Sequence, residues 1–298
     1  AAEFLSGILT KLSDSDYEFA VTAQPILWLV FCTEDIRIRE KIQSPHIDRD
    51  GRRLFVRFAN SGNKITYRFK GKVIGISLKD RGAILPAGHF ANWAFWYSKT
   101  GAFISSTYYG QQLPDWVTQF NNQKYFQKYI DKGWDLLKPK EVYNESLTDN
   151  NPYEGKLYKK APFMPYNLQD MYDANDAGIL RSTPFGNNLL ADFAKKAIES
   201  ENLGKDDITD FLAVSFSSTD YIGHVLGPRS IELQDTYLRL DETIADFLAY
   251  LDKTVGKGNY LVFLTADHAG AENVTYLKDN KYKVDNINYK NIQKEQFD

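Results

Sequence analysis

Four short apolar runs, rich in β-branched and aromatic residues, constrain the fold of this chain more than any other feature. Each run has the length of one strand: Ile26–Phe31, Val73–Leu78, Phe211–Phe216 and Tyr260–Leu264. Continuous apolar runs of this kind are typical of strands that are covered on both faces of a parallel sheet. We therefore predict four buried parallel strands.

The segment between the last two runs has the pattern of an amphipathic helix. Within residues 231–253, apolar side chains recur at helical spacing: Leu233, Tyr237, Leu240, Ile244, Phe247 and Leu251. A second helix is predicted over residues 188–199, with Gly204 near its end. Strands that alternate with helices predict an α/β fold, with a mostly parallel central sheet flanked by helices.

The length of 298 residues allows one large core or two smaller ones. We predict a single α/β domain over residues 1–298, with a capping insertion at about 90–180 where Trp, Tyr, Asn and Pro are dense. Within this insertion, Lys99-Thr100-Gly101 lies between two apolar runs and predicts a hairpin.

The charge balance and the cysteine count exclude several classes of protein. The 36 basic and 39 acidic residues leave a net charge of -3, and no lysine or arginine run could follow a nucleic-acid backbone. Cys32 is the single cysteine, which excludes an intrachain disulfide and a cysteine-rich zinc module. No apolar run approaches the roughly 20 residues that cross a bilayer. We expect no nucleic-acid partner and no membrane partner.

Three polar clusters follow directly on three of the predicted strands. Ligands of open α/β sheets bind at the carboxyl ends of strands, so these clusters are expected to converge. The first cluster is Lys79-Asp80-Arg81. If the extended backbone continues through it, Lys79 and Arg81 point the same way and bind one anion together. For this pair alone, a solvated strand end is the alternative.

The second cluster contains Asp220 and His224, and the third contains Asp267 and His268. A spacing of four residues on a helical turn places a carboxylate beside an imidazole, which suits one zinc ion. Where a strand breaks into a loop, the adjacent side chains of Asp267 and His268 can both turn toward one metal. Carboxylate oxygen combined with imidazole nitrogen suits zinc better than calcium or magnesium.

Each of these motifs alone also has a structural interpretation. The aspartate could cap a helix, and the histidine beside it could be a satisfied neighbour. The metal interpretation is favoured because two of only four histidines fall at equivalent places after successive strands. His89, which closely follows the cationic pair, could contact a substrate or a metal, or could be a structural residue.

The order and surroundings of these motifs resemble the alkaline phosphatase superfamily. Residues 216–224 and 265–268, with Gly227-Pro228 between them, are similar to its metal-binding segments. Residues 77–89 resemble the lysine and arginine segment of its monomeric bacterial, PafA-like branch, and residues 32–35 and 183–187 are similar to that branch as well.

The resemblance implies an enzyme that hydrolyses phosphate monoesters with zinc, through a covalent phospho-enzyme. It implies two zinc ions, one held by Asp220 and His224 and the second by Asp267 with His268. The catalytic Lys79 and Arg81 would bind the non-bridging oxygens of the phosphate. It also implies a monomer that acts on small-molecule phosphate esters in the periplasm or outside the cell.

The resemblance has gaps at both ends of the chain. Members of the family carry an early aspartate ligand, a threonine or serine nucleophile and a late histidine ligand, and none of the three is identified in this sequence. We therefore expect a chain that is incomplete at both ends or imperfectly read.

Two other functions stay open. A phosphodiesterase or nucleotide pyrophosphatase of the same superfamily would cleave diesters, although two cations favour a dianionic monoester over a singly charged diester. If the nucleophile is truly absent, the chain would be a non-catalytic protein that binds zinc or anions.

Overall fold

The structure is a computed structural model. It describes the strands at residues 25–31, 42–47, 53–58 and 64–68, followed by the segments 71–157, 163–172, 177–268 and 270–284. Residues 32–35, which contribute to the family resemblance, lie outside the described residues.

The described strands form two sheets. In chain order the strands are β1 (Pro25–Phe31), β2 (Ile42–Ile47), β3 (Arg53–Phe58), β4 (Lys64–Arg68), β5 (Val73–Ser77), β6 (Trp93–Tyr97), β7 (Phe103–Ile104), β8 (Asp210–Ser215) and β9 (Tyr260–Ala266). A six-stranded sheet has the order β7-β6-β5-β8-β1-β9, and β2, β3 and β4 form a separate antiparallel sheet of three strands. The four strands predicted from apolar runs all lie in the larger sheet.

The larger sheet is mostly parallel, as predicted. Strands β6, β5 and β8 pair in parallel, and β1 runs antiparallel to both β8 and β9, so that β9 shares the direction of β8. The prediction of a parallel strand at Ile26–Phe31 is therefore wrong in direction. An apolar run indicates burial but carries no information on direction, and an antiparallel strand pairs equally well with both neighbours. β9 lies at the sheet edge of the described part and is half-buried rather than buried.

The described helices include both predicted ones. In chain order they are α1 (Asp80–Ala87), α2 (Asp115–Asn122), α3 (Phe126–Lys132), α4 (Leu168–Met171), α5 (Phe185–Glu201), α6 (Ser218–Leu226), α7 (Ile231–Leu251) and α8 (Val274–Asp279). Helices α5 and α7 confirm the predictions at 188–199 and 231–253. Short 3-10 turns occur at Lys140–Val142 and Ala177–Ser182, and a π turn at Asp252–Gly256 follows α7. In the described residues, every helix is too short or too polar to span a bilayer.

Both faces of the sheet are covered. Alternate side chains of a central strand pack into two different clusters, one on each face. In β8, Leu212 and Val214 belong to the main core, whereas Phe211 and Ala213 belong to a second, smaller cluster. The main core also contains the apolar stripes of α5 and α7, including Phe193 and Phe247. The smaller cluster includes Ala87 of α1, which places α1 on the opposite face.

Helix α1 packs onto β5 at a glycine. A Cβ atom at Gly75 would lie 2.1 Å from the carbonyl oxygen of Ala83, which is closer than atoms can approach. Only glycine therefore allows the helix backbone to rest on the strand at this point. This contact fixes the distance between α1 and the sheet. It lies close to the residues that follow β5.

The predicted hairpin around residues 99–101 is confirmed. Strands β6 and β7 pair antiparallel, Gly101 takes the positive φ of 83°, and the ring of Phe126 leaves no room for a side chain there. Because β6 also pairs with β5, this hairpin extends the central sheet. The capping insertion at about 90–180 stays a prediction, although β6 and β7 within it are strands of the central sheet.

A buried aspartate links this region to α7. Asp235 is fully buried and accepts hydrogen bonds from the indole Nε1 of Trp134 at 2.8 Å, the backbone N of Leu137 at 2.7 Å and the hydroxyl of Tyr143 at 2.6 Å. Its second oxygen also pairs with Nε of Arg239 at 2.6 Å. Because both oxygens of this buried carboxylate accept hydrogen bonds, Asp235 holds the region around residues 134–143 firmly to α7.

We expect Asp235→Ala to lower the free energy of unfolding by about 3–5 kcal/mol, because it leaves the Arg239 charge and several buried donors without a partner. Urea unfolding followed by circular dichroism measures this loss. The control is Asp246→Ala, which removes an exposed partner of Lys195 and should cost less than about 1 kcal/mol. Equal losses in the two variants would contradict a tethering role for Asp235.

Candidate functional site

Three predicted site residues meet where β8 and β9 end. Helix α6 begins at Ser218 directly after β8, and its first two turns place His224 above Asp220, with His224 Nε2 at 3.1 Å from Asp220 Oδ1. His268, just beyond β9, places its Nε2 at 3.6 Å from the same oxygen. Asp220 is 2% exposed, whereas the two imidazoles are 70% and 50% exposed. A buried carboxylate thus lies beneath two accessible imidazoles.

This arrangement fits a metal cation. One ligand atom from each of Asp220, His224 and His268 lies within 4.8 Å of the other two. Asp220 Oδ1 is buried and accepts no hydrogen bond from the described residues, although two imidazole nitrogens face it. A buried carboxylate oxygen without a donor is costly, and a cation between the three groups would remove that cost. Mixed oxygen and nitrogen ligands are typical of zinc and similar transition metals.

The other oxygen of Asp220 pairs with a lysine. Lys79 directs its ammonium group to Asp220 Oδ2, and the same group lies 4.7 Å from the centre of the Tyr221 ring. Lys79 is the residue that precedes α1, at the carboxyl end of β5. The ends of β5, β8 and β9 therefore contribute a cation, a carboxylate and an imidazole to one site.

Arg81 has a different position from the one predicted. Extended backbone ends at Lys79 and α1 begins at Asp80, so Arg81 lies in the first helical turn and is exposed. The backbone is therefore not extended through residues 79–81, and that part of the prediction is wrong. The structure brings Lys79 to Asp220, and it places Arg81 near the amino end of α1, where a helix favours anions.

Asp267 lies beside the cluster. Its Oδ2 is 3.7 Å from His268 Nε2, and its side chain is 36% exposed. The group of three possible ligands consists of Asp220, His224 and His268. His268 therefore lies close to Asp220 and His224, the pair predicted to bind the first zinc. The assignment of Asp267 and His268 to a second zinc stays a prediction.

His89 lies away from this cluster. It follows Gly88, the residue that ends α1, and eight helical residues separate it from Lys79. Its exposed ring meets Tyr108 edge to face at 6.4 Å, and its backbone oxygen accepts a hydrogen bond from the Tyr108 hydroxyl at 2.9 Å. These contacts favour the structural interpretation.

Buried serines fix the two strand ends relative to each other. The hydroxyls of Ser77 and Ser217 lie 3.0 Å apart, and Ser77 Oγ accepts the backbone N–H of Lys79 at 3.1 Å. Ser217 Oγ donates to the carbonyl of Ser215 at 3.2 Å. All three serines are fully buried. Sequence analysis missed them, although polar residues directly after buried strands could have indicated them.

A second support holds the start of α6. Asn187 is 1% exposed, and its Oδ1 accepts the backbone N–H of Ser218 at 3.1 Å. The neighbouring Gly186 packs so closely that a Cβ atom would lie 2.5 Å from Ser218 Oγ and 2.7 Å from the carbonyl oxygen of Leu180. The segment 183–187 therefore positions the helix that carries Asp220 and His224.

A cavity of about 350 Å³ opens beside the metal-binding candidates. Asp220, His224 and His268 form one side of it, and Tyr153 and Asn273 contribute to the other. Its size is adequate for a small phosphate ester.

Comparisons with known proteins match this chain to one family model and to several relatives. A family model described as type I phosphodiesterase / nucleotide pyrophosphatase matches residues 47–294. A protein from Myroides odoratus named calcium-transporting ATPase is 44% identical over 292 residues, which are 96% of this chain and 53% of that protein. Alkaline phosphatase PhoV of Synechococcus elongatus is 48% identical over 261 residues, which are 85% of this chain and 46% of that protein.

A solved structure agrees as well. The crystal structure of wild-type alkaline phosphatase PafA matches with a TM-score of 0.70 at 51% identity, covering 72% of this chain and 42% of that one. The chain spans about half the length of the curated relatives that it matches.

We expect Gly186→Ala to destabilise the protein by about 1–3 kcal/mol, because the added methyl group overlaps a backbone carbonyl and the start of α6. Chemical unfolding measures this loss. The matched control is Gly223→Ala within α6, where the added methyl group would lie an ordinary 3.5 Å from Leu233. Better helix propensity should make that variant equally stable or more stable by about 0.5–1 kcal/mol. A neutral Gly186→Ala would contradict the close packing at α6.

Proposed function

This chain belongs to the type I phosphodiesterase / nucleotide pyrophosphatase family of the alkaline phosphatase superfamily, and on that premise we propose that it hydrolyses phosphate monoesters with zinc. The proposal rests on the two different contacts of the Asp220 carboxylate. Its Oδ2 pairs with the ammonium group of Lys79, and its Oδ1 faces the imidazoles of His224 and His268. Asp220, which is buried, would thus belong to the metal site and also hold the lysine that binds the substrate.

Asp220 and His224 would hold one zinc ion, and Asp267 with His268 would belong to a second, with His268 also near the first pair. Bound zinc polarises phosphoryl oxygens and lowers the pKa of a coordinated water, which supplies both charge stabilisation and a nucleophile at neutral pH. Burial of Asp220 keeps water from the oxygen that faces the ligands, which strengthens its electrostatic interactions.

Lys79 is proposed to bind the phosphate directly. Its ammonium group has three N–H donors, of which one serves Asp220, so the others can reach non-bridging phosphate oxygens. Because Asp220 and the serine pair hold Lys79 from both its side chain and its backbone, the charge is positioned before the substrate arrives. Pre-organised charge of this kind stabilises the extra negative charge of a transition state.

Arg81 is proposed as the second cation of the phosphate site. Its place in the first turn of α1 puts it at the positive end of the helix dipole, where its own backbone N–H donates to Asp80 Oδ1 at 2.7 Å. Lys79 and Arg81 together would balance a terminal phosphate with two charges. A diester carries one charge, so this pairing favours monoesters.

The reaction proposed from the family is a two-step displacement. A nucleophile of the protein attacks phosphorus while the ester P–O bond breaks and the leaving oxygen takes a proton, and water then hydrolyses the phospho-enzyme. No described residue is assigned as this nucleophile. ATP hydrolysis, in the name of the Myroides relative, is also cleavage of a terminal phosphoryl group.

Cleavage of diesters is the second candidate function. The description of the matched family model, type I phosphodiesterase / nucleotide pyrophosphatase, favours it. A non-catalytic protein that binds zinc or anions is the third candidate, because the nucleophile is unassigned. A monomeric state and an exported location, in the periplasm or outside the cell, stay predictions from the family resemblance.

Metal analysis of the purified protein tests the zinc assignment. We expect two zinc ions per chain, and His224→Ala should weaken binding of one of them by roughly tenfold or more. His89→Ala is the control, because this histidine is exposed and lies at the far end of α1. Zinc content that is unchanged in His224→Ala would remove the proposed ligand set.

The choice of substrate is tested with the zinc-loaded protein, by comparing turnover of an aryl phosphate and of the bis-aryl diester. We expect the monoester to be preferred, and Lys79→Ala should lower kcat/KM for it by about 10²- to 10³-fold. Lys138→Ala, a surface lysine paired with Glu242, is the control and should match the parent protein.

A strong preference for the diester would instead support the phosphodiesterase function. Absence of turnover of both substrates by zinc-loaded protein would support the binding function.

A further inference from the structure

The cavity of about 350 Å³ beside the candidate metal ligands has a second side, which is mostly apolar. The described residues that line this second side carry no formal charge, and Tyr153, Val225, Pro228 and Leu233 contribute its larger apolar groups. A single phosphate group fills only part of a cavity of this size. The remaining space therefore lies where the rest of a phosphate ester would extend from the metal ligands.

Tyr153 contributes the only phenol or phenyl ring among the described residues that line the cavity. Its hydroxyl donates to Asp279 Oδ2 at 3.0 Å, and its ring meets the ring of Tyr276 edge to face at 5.2 Å. Its carbonyl oxygen accepts Nδ2 of Asn273 at 3.0 Å, and Asn273 in turn caps α8 by accepting the backbone N–H of Thr275 at 2.8 Å. The hydroxyl, the ring and the backbone of Tyr153 are therefore all held by the segment that follows His268.

The loop that carries Tyr153 is also held to α6. The backbone N–H of Gly155 donates to the carbonyl of Val225 at 2.9 Å, and a Cβ atom at Gly155 would lie 2.3 Å from the same oxygen. Only glycine therefore allows the loop to approach the helix this closely. Val225 directly follows His224, so this contact fixes the distance between the loop of Tyr153 and the helix of the first predicted zinc pair.

We propose that the apolar side of the cavity binds the leaving group of the ester, and that Tyr153 makes it selective for an aromatic leaving group. The inference rests on the proposed function, because it takes the phosphate to lie at the metal ligands and Lys79. Tyr153 would then determine specificity through contact with the part of the substrate that does not react.

The chemistry of this side favours an aromatic group over a charged one. Two aromatic rings attract each other beyond the effect of the apolar area that they bury. A charged group would lose water here without gaining a partner of opposite charge from the described residues of this side. Because the contacts of Tyr153 hold its ring in place before a ligand arrives, little side-chain entropy is lost on binding.

Binding of two phosphonates to the zinc-loaded protein, measured by calorimetric titration, tests the proposal. Phenylphosphonate and methylphosphonate carry the same anionic group on a P–C bond that does not hydrolyse, so the difference between their affinities reports the organic group and not its reactivity. We expect the parent protein to bind phenylphosphonate roughly tenfold more tightly or better, because the ring buries more apolar surface than a methyl group and packs against Tyr153.

Two variants at position 153 assign this preference to the ring. Tyr153→Leu keeps an apolar side chain and should reduce the preference by roughly threefold or more, with the affinity for methylphosphonate unchanged. Tyr153→Phe removes only the hydrogen bond to Asp279 and should keep the preference. The matched control is Tyr108→Leu, which replaces an exposed tyrosine beside His89 and should bind both phosphonates as the parent does.

The outcomes separate this inference from the proposed function. Equal affinities of the parent protein for the two phosphonates, a preference that persists in Tyr153→Leu, or an equal loss of both affinities in that variant would overturn the inference and leave the phosphate site intact. Binding of neither phosphonate, with no turnover of phenyl phosphate, would overturn the proposed function and the inference with it. A preference for phenylphosphonate without turnover of phenyl phosphate would support the inference and overturn the hydrolytic function.

Discussion

The carboxylate of Asp220 is the interaction on which the rest of the site depends. It is buried, so each of its oxygens needs a positive partner, and the structure assigns the two oxygens to different partners. One oxygen holds Lys79 at the end of β5, and the other faces the imidazoles that follow β8 and β9. Moving any of these three strand ends would leave part of the charge of Asp220 without compensation. The geometry of the sheet and the chemistry of the site are therefore linked through one side chain.

Parallel strands make this convergence possible. Strands β5, β8 and β9 run in the same direction, so their carboxyl ends lie along one edge of the sheet, and the polar residues just beyond them share that edge. The hydroxyls of Ser77 and Ser217 then hold two of these ends together by direct contact. A metal site and an anion site can thus be built from short segments that are far apart in the sequence.

The sequence was sufficient for four strands of the central sheet, the two long helices, the hairpin and the pairing of Asp220 with His224, because each of these depends on local spacing, whereas the separate sheet of β2, β3 and β4 was not predicted. It was insufficient where the outcome depends on tertiary structure. The direction of β1 is set by its two neighbours, and the helical start at Asp80 separates Arg81 from Lys79. His268 joins Asp220 only because two strand ends meet.

The contact at Gly75 has a consequence for how motion reaches Lys79. Most helices rest on a sheet through layers of side chains, which can shift to absorb small displacements. Here α1 touches β5 backbone to backbone at Gly75, and Lys79 stands at the junction of the two elements. Because no layer of side chains lies between them, the strand and the helix are expected to move together. A shift of the strand at position 75 therefore also shifts the start of α1 and with it the backbone of Lys79.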